Sequence, residues 1–421
     1  MKFIKNSKLS IIISVIVSLS SCSSTGTSSF NSGYKSGYSK SESLKYYPPV
    51  ALDVLIPVFN GGIEKLTDED LKNFSDIRRA ESIHFAVKLK NKIKKRKIFV
   101  NPKVMPSARA FSDIYVFGEI IKSNGRDLEL KILFEDAQGK EIKVRKNKLI
   151  KTYKGNGRYK LKCNEKCRNN FKSNPRLIGK SPFDLIFNDI AQNLEIAVSK
   201  RSAKNLYQVQ KTKELRFARF IAPEKFNNYL ETKKGKKNRL THNLIYEPDA
   251  TDPMFIRSNA VRLRESVFID DSQQYIEDHV YNQKFLTQYR NWLDQNANAL
   301  EAKEKADSAK TAAVIGGILS IAVAAYGASE GNSDLAATGA VSSAVLFKQA
   351  EKYGAEAKMY ADAIDELNID INSSAASRNI EIENLIFEAR GSIENQFEEF
   401  SNFLRRVYFQ ETLPVDNTTN Y

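Results

Sequence analysis

The side chains best suited to chemistry are few and poorly placed for catalysis. The chain has three histidines, His84, His242 and His279. None stands in a His-Glu-x-x-His arrangement, and no Gly-x-Ser-x-Gly nucleophile turn occurs. His84 falls at the edge of an apolar helical face and reads as an interface residue. His279 follows Asp278, with Asp270, Asp271 and Glu277 nearby, and reads as part of a solvated acidic face rather than a metal site. Cys163 and Cys167 lie four residues apart, and no second Cys or His pair is at hand to complete a zinc site. The chemistry left to them is a small disulfide loop, with two free thiols as the alternative. No catalytic residue, metal or cofactor is expected, and the chain is not expected to be an enzyme.

The third cysteine is different. Residues 1–21 have a basic start (Lys2, Lys5, Lys8), an apolar run from Leu9 to Leu19, and small residues Ser20 and Ser21 ahead of Cys22. That is the layout of a secretory signal peptide, and the run is short of the roughly 20 residues a spanning helix needs. Leu19-Ser20-Ser21-Cys22 resembles the lipobox of bacterial lipoproteins. The resemblance implies that Cys22 is acylated, palmitate being one such group, and becomes the first residue of the mature protein. Ser23 in place of Asp implies sorting to the outer membrane; the periplasmic face is the expected side, with the cell surface as the alternative.

Export changes how the charge is read. The formal net charge is +15, which would suit nucleic acid, but an exported protein meets none. Anionic head groups and envelope polymers are the polyanions available, and a merely solvated basic surface is the alternative. Lys88, Lys90, Lys92, Lys94 and Lys95 form the candidate contact with an anionic surface. Residues 301–421 hold 19 acidic and 10 basic residues, so the C-terminal region is acidic while the rest is strongly basic.

The elements that would position these groups follow from pattern. Residues 22–47 are rich in Ser, Gly, Lys and Tyr and read as a flexible tether. Residues 48–200 read as an α+β domain, a helix-covered and mostly antiparallel sheet in the order β-α-β-β-β-β, closed by a second helix. Ala51–Phe59 is nearly continuous in apolar character and predicts a central strand. Helical spacing covers 76–96, and strands are expected at 98–105, 113–123, 126–136 and 141–153, with Asn124-Gly125 as a hairpin turn. Ser181 and Pro182 predict the start of a helix to Lys200 that turns Phe183, Ile186, Ile190 and Leu194 to the sheet.

Several of these segments, namely Ala51–Phe59, Phe85–Leu89, Asp113–Ile120, Leu128–Ile132 and Asp136–Gly139, together resemble the periplasmic domain of curli-secretion lipoproteins of the CsgG type and of penicillin-binding-protein activator lipoproteins. The resemblance covers residues 50–200. It implies that domain's fold and an envelope location. The amphipathic hairpins that line a curli pore have no counterpart here.

Residues 201–260 read as a basic, mixed connector. Residues 261–413 contain no proline and predict a long α-helical hairpin. Its tip, 311–347, carries a stripe of small residues: Ala312, Gly316, Ser320, Ala324 and Ala328 on one arm, Ala336, Ala340 and Ala344 on the other. Such a tip is buried on the sheet domain, inserted in a membrane, or packed against other copies. The reading as a whole is a non-enzymatic, lipid-anchored envelope protein that docks a partner of unknown identity or acts in assembly, with a homo-oligomer allowed. The alternatives are an oligomeric export pore of the outer membrane and, further off, a cell-wall-acting enzyme.

Overall fold

The most apolar strand sits inside the sheet. Leu52–Pro57 (β1) is buried along nearly its whole length, as a strand covered on both faces must be. Asp68–Ile93 (α1) then crosses over to Phe99–Met105 (β2), which pairs parallel with β1. Ile114–Ser123 (β3) pairs parallel with the other side of β1, and Asp127–Asp136 (β4) returns antiparallel to β3. Tyr153–Gly155 (β5) and Arg158–Lys162 (β6) complete a six-stranded sheet of order β2-β1-β3-β4-β6-β5. The sheet is mixed: β1 has parallel neighbours, and the remaining pairs are antiparallel. The structure, a computed structural model, describes residues 51–412 apart from 67, 175, 178–179, 236–238, 281, 310–339, 366–374 and 383–384.

The chain then continues through Glu165–Ser173 (α2), Asp184–Ser199 (α3), Ala203–Ile221 (α4) and the single turn Pro223–Phe226 (α5). A small hairpin, Leu230–Lys234 (β7) with Leu240–Leu244 (β8), leads to Pro253–Val280 (α6), Gln283–Ala309 (α7) and Ala340–Asp365 (α8). A second hairpin, Ala375–Ile382 (β9) with Leu385–Gly391 (β10), precedes Ile393–Thr412 (α9).

Alternation along the strands divides the interior into two cores. On one face Val54, Ile56, Val104, Ile114, Val116 and the even residues of β4 from Leu128 to Phe134 pack under α1 and α3. Phe183, Ile186, Ile190 and Leu194 face this core as their spacing predicts. On the other face Leu55, Met105 and Tyr115 pack against α4, α6 and α9. The parallel strands therefore carry a helical layer on each side, where a single layer was expected.

Three local expectations are corrected. No strand spans 141–153. That stretch is irregular, with Ile142 and Ile150 buried as anchors, and the strands β5 and β6 flank Gly155-Asn156-Gly157 instead. All three of those residues have positive φ, so a tight turn forms there. Ser181 does not cap α3. The residue at the cap is Phe183, and the Ser181 hydroxyl accepts a hydrogen bond from the Phe183 amide in the turn before it. The third correction concerns the helical hairpin of 261–413, which the described residues break into separate pieces. Ala375–Ile382 and Leu385–Gly391 form strands, not helix, because Ile380 and Phe387 alternate inward to meet Phe268 and Phe400 in the second core. Helices α6 and α9 pack together there. Helix α7 packs along α8, and their buried residues there include Ala297, Ala302, Ala350, Ala357 and Ala361, small side chains that allow a close approach of helix axes.

Candidate functional site

Helix α7 presents Leu286, Tyr289, Arg290, Leu293 and Asp294 on one stripe, spaced 3, 4, 7 and 8 residues along the helix. The stripe forms one wall of a cleft of about 510 Å³. α1 supplies His84 and Lys88, and the segment leading into α3 supplies Lys180, Pro182, Phe183 and Asp184. α2 supplies Arg168, Phe171 and Lys172. Gly125, in the turn between β3 and β4, closes one end. Its φ is +77°, and an added Cβ would collide with the Leu293 carbonyl oxygen at 1.9 Å, so the turn is seated directly on α7. The side chain of Asn296 donates to the Asn124 carbonyl at 3.1 Å in the same contact.

The α2 wall is held by covalent and ionic ties. Cys163 and Cys167 form a disulfide, Cα atoms 5.2 Å apart, that pins the first turn of α2 to the end of β6. Asn164 caps the helix, accepting from the Cys167 amide at 3.1 Å. From α2, Arg168 grips Glu301 of α7 with two bonds of 2.8 Å and reaches Asn298 at 2.9 Å. Burial would raise the Glu301 carboxyl, but Arg168 outweighs it and holds it below its ordinary value. Lys172 meets Asp294 at 2.7 Å, and Lys305 meets Glu165 at 3.0 Å, so ion pairs run along the α2–α7 seam.

The floor is apolar and uncharged. His84 is 3% exposed and sits edge-on to Phe285 and Tyr289, with ring centroids at 5.6 and 5.3 Å. Burial, aided by Lys88, pushes its imidazole well below the usual histidine range, which leaves it neutral. Its Nδ1 has no hydrogen-bond partner among the described residues. Tyr289 donates to Glu81 at 2.8 Å and stacks on Trp292, the only tryptophan of the chain, with centroids 5.9 Å apart.

The lip is cationic. Lys88 bonds Asp184 at 3.0 Å and lies over the Phe187 ring. Lys180 and Arg290 are exposed and make no ion pair among the described residues. The five-lysine surface does not form as a unit. Besides Lys88, Lys90 is buried against Glu277 of α6, with burial and Lys94 lowering its pKa to about 8. Lys92 is half-buried, and Lys94 and Lys95 alone of the five are exposed.

A second titratable group lies between the sheet and α4. Lys213 reaches Asp53 and Asp113 at 3.0 Å each. The two aspartates, Asp53 in β1 and Asp113 just ahead of β3, also clasp one another. The Asp53 amide donates to Asp113 at 3.0 Å, and the Asp113 amide donates to Asp53 at 2.7 Å. Burial and the Asp53 charge push Asp113 well above its ordinary value, while Lys213 and the Asp113 contacts draw Asp53 below it in spite of burial. For Lys213, burial opposes the charge, but the two aspartates outweigh it and raise its pKa. Nearby on α6, burial raises Glu265 to about 8 against the pull of Arg262. Sequence pattern alone does not bring this cluster together. Its signal was an Asp inside the otherwise apolar β1, which demands a buried partner.

No family model, curated protein or solved structure matches this chain. Site assignments therefore rest on its own residues. Among the described residues no three His, Cys, Asp or Glu side chains converge as a metal site requires, and no helix is long and apolar enough to cross a membrane. Cys22 and the tether lie outside the described residues, as do Ala312, Gly316, Ser320, Ala324, Ala328 and Ala336 of the small-residue stripe. Ala340 and Ala344 fall within α8, where their side chains are not described. His279 is likewise described by backbone only, and His242 bonds Thr232 at 3.0 Å.

Proposed function

We propose that this chain is a non-enzymatic lipoprotein of the outer membrane, tethered through an acylated Cys22, that recognises its target with the cleft between α1, α2, α3 and α7. The observation that carries the recognition role is the state of the titratable groups. In the cleft His84 is neutral, the two lining acids Asp184 and Asp294 are matched by Lys88 and Lys172, and Lys180 and Arg290 at the lip are left over. Asp53 and Asp113, elsewhere in the fold, are matched by Lys213. An apolar floor with a few polar groups at the mouth is the usual form of a ligand site. The Cys163–Cys167 disulfide fits an oxidising compartment, and the lipobox-like Leu19–Cys22 fits an anchor there. The resemblance of residues 50–200 to envelope lipoproteins points the same way.

The anchor is tested by feeding a bacterial host an alkyne-tagged palmitate and comparing wild type with Cys22→Ala. Label on the wild type alone, with the variant released from the membrane pellet, is the expected result. Equal labelling, or equal sedimentation without label, overturns the anchor.

A further inference from the structure

We propose that the cleft binds a single-chain fatty acid, with its carboxylate at the Lys180–Arg290 lip and its chain over the floor. This rests on reading the cleft as a recognition site and is independent of the anchor. The first argument is size. A cleft of about 510 Å³ lies within the roughly 300–1,000 Å³ typical of one small-molecule ligand, so one alkyl chain fits.

The second argument is the surface the chain would meet. Leu286, Leu293, Phe183 and the ring of Tyr289 line the interior, and His84 adds an imidazole that burial keeps uncharged. A charged group would be desolvated there at a high cost, so the deep part of the ligand is apolar.

The third argument is charge at the mouth. Lys88, Lys172 and Arg168 are already matched by Asp184, Asp294 and Glu301. Lys180 and Arg290 are exposed, and no acid among the described residues answers them. The lip thus holds two cations in excess, one from the segment before α3 and one from α7, which fits an anionic head and opposes a cationic one.

Trp292 makes the idea measurable, since it stacks beneath Tyr289 and is the only tryptophan. The full chain carrying Cys22→Ser, and hence free of its own acyl group, is titrated without detergent with cis-parinaric acid. Energy transfer from Trp292 is recorded. Parallel arms use its methyl ester, the matching primary amine, and competition by palmitate and by a lysophosphatidic acid. The expected result is saturable one-to-one transfer, displaced by palmitate, with the ester and amine at least tenfold weaker. Lys180→Glu with Arg290→Glu weakens the acid about tenfold and leaves the fold intact by circular dichroism. Leu293→Trp, which fills the cleft, is read by displacement of labelled palmitate and removes binding. Equal binding of acid and amine, or indifference to the charge reversal, overturns the fatty-acid assignment while the recognition site stands. Stronger competition by the phosphate head replaces the carboxylate with a lysolipid and overturns it too. If acid, ester and amine all fail to reach Trp292, the cleft is no recognition site and both readings fall.

Discussion

Two places where this fold gathers titratable groups are built to different plans. Around Lys213 the charges answer one another: Asp53 and Asp113 share one ammonium and each other's backbone amides, drawn from β1, the residue ahead of β3, and α4. In the α1–α7 cleft only some do: Lys88, Lys172 and Arg168 are matched by Asp184, Asp294 and Glu301, and other groups are left over. His84 keeps an unpartnered nitrogen, and Lys180 and Arg290 sit at the lip without an acid. The contrast separates structure from function within one chain. A cluster whose charges match internally fixes how elements meet, even with Asp113 Oδ1 left without a hydrogen-bond partner among the described residues, whereas unmatched cations at a cleft mouth have capacity left for a ligand.

The comparison breaks first if the closed cluster proves dispensable. Lys213→Met leaves the buried Asp113 and the part-buried Asp53 without their cation and is expected to cost about 3 kcal/mol, read from denaturant unfolding. A loss under about 1 kcal/mol means the cluster is open to water. Arg168→Ala, which releases the α2 wall from Glu301 and Asn298, is expected to cost about 2 kcal/mol and to weaken the cleft's ligand binding as well. Paired Cys163→Ser and Cys167→Ser changes act on a very short loop and are expected to cost about 2 kcal/mol. Hydrogen exchange in that variant should rise in α2 and stay unchanged at Asp53 and Asp113.

Glu265 sharpens the comparison through pH. Its carboxyl, ordinarily near 4.5, is raised by burial to about 8 in the fold. The native state therefore holds this proton more tightly than the unfolded state. That contribution is complete below about pH 4.5 and is lost as pH rises through about 8. Arg262, Lys103 and Lys213 pull the other way and Asp53 adds to the shift. Glu265→Gln should gain stability relative to wild type between pH 5 and pH 8, measured as the difference in thermal midpoints. An unchanged difference places Glu265 in water. The smallest effect belongs to the lip, where Lys180→Glu should shift stability by no more than about 0.5 kcal/mol.

Much of the sheet was legible because its signals are local. Leu52-Asp53-Val54-Leu55-Ile56 reads as a central strand, and Asn124-Gly125 reads as a turn, from neighbours in sequence alone. The α3 face emerged equally well from Phe183, Ile186, Ile190 and Leu194. The Gly155-Asn156-Gly157 turn and the alternation through Ile380 and Phe387 were also local, yet the basic run 143–148 and the lack of proline led away from them. The Lys213 cluster was not legible, since its members are 60 to 160 residues apart. The cleft escaped for the same reason: the stripe on α7 is visible in sequence, but the turn and the α2 wall that face it are set by the fold. Lys88 and Lys90 belong on the polar side of α1 by spacing, and α3 and α6 then cover that side.

Hydrogen–deuterium exchange of the full chain, with and without palmitate, tests the contrast most directly. The account predicts that palmitate slows exchange in 180–184 and 286–294, while the amides of Asp53 and Asp113 are slow in both states. Fast exchange at Asp53 and Asp113, or no change along 286–294 at saturating palmitate, would contradict it.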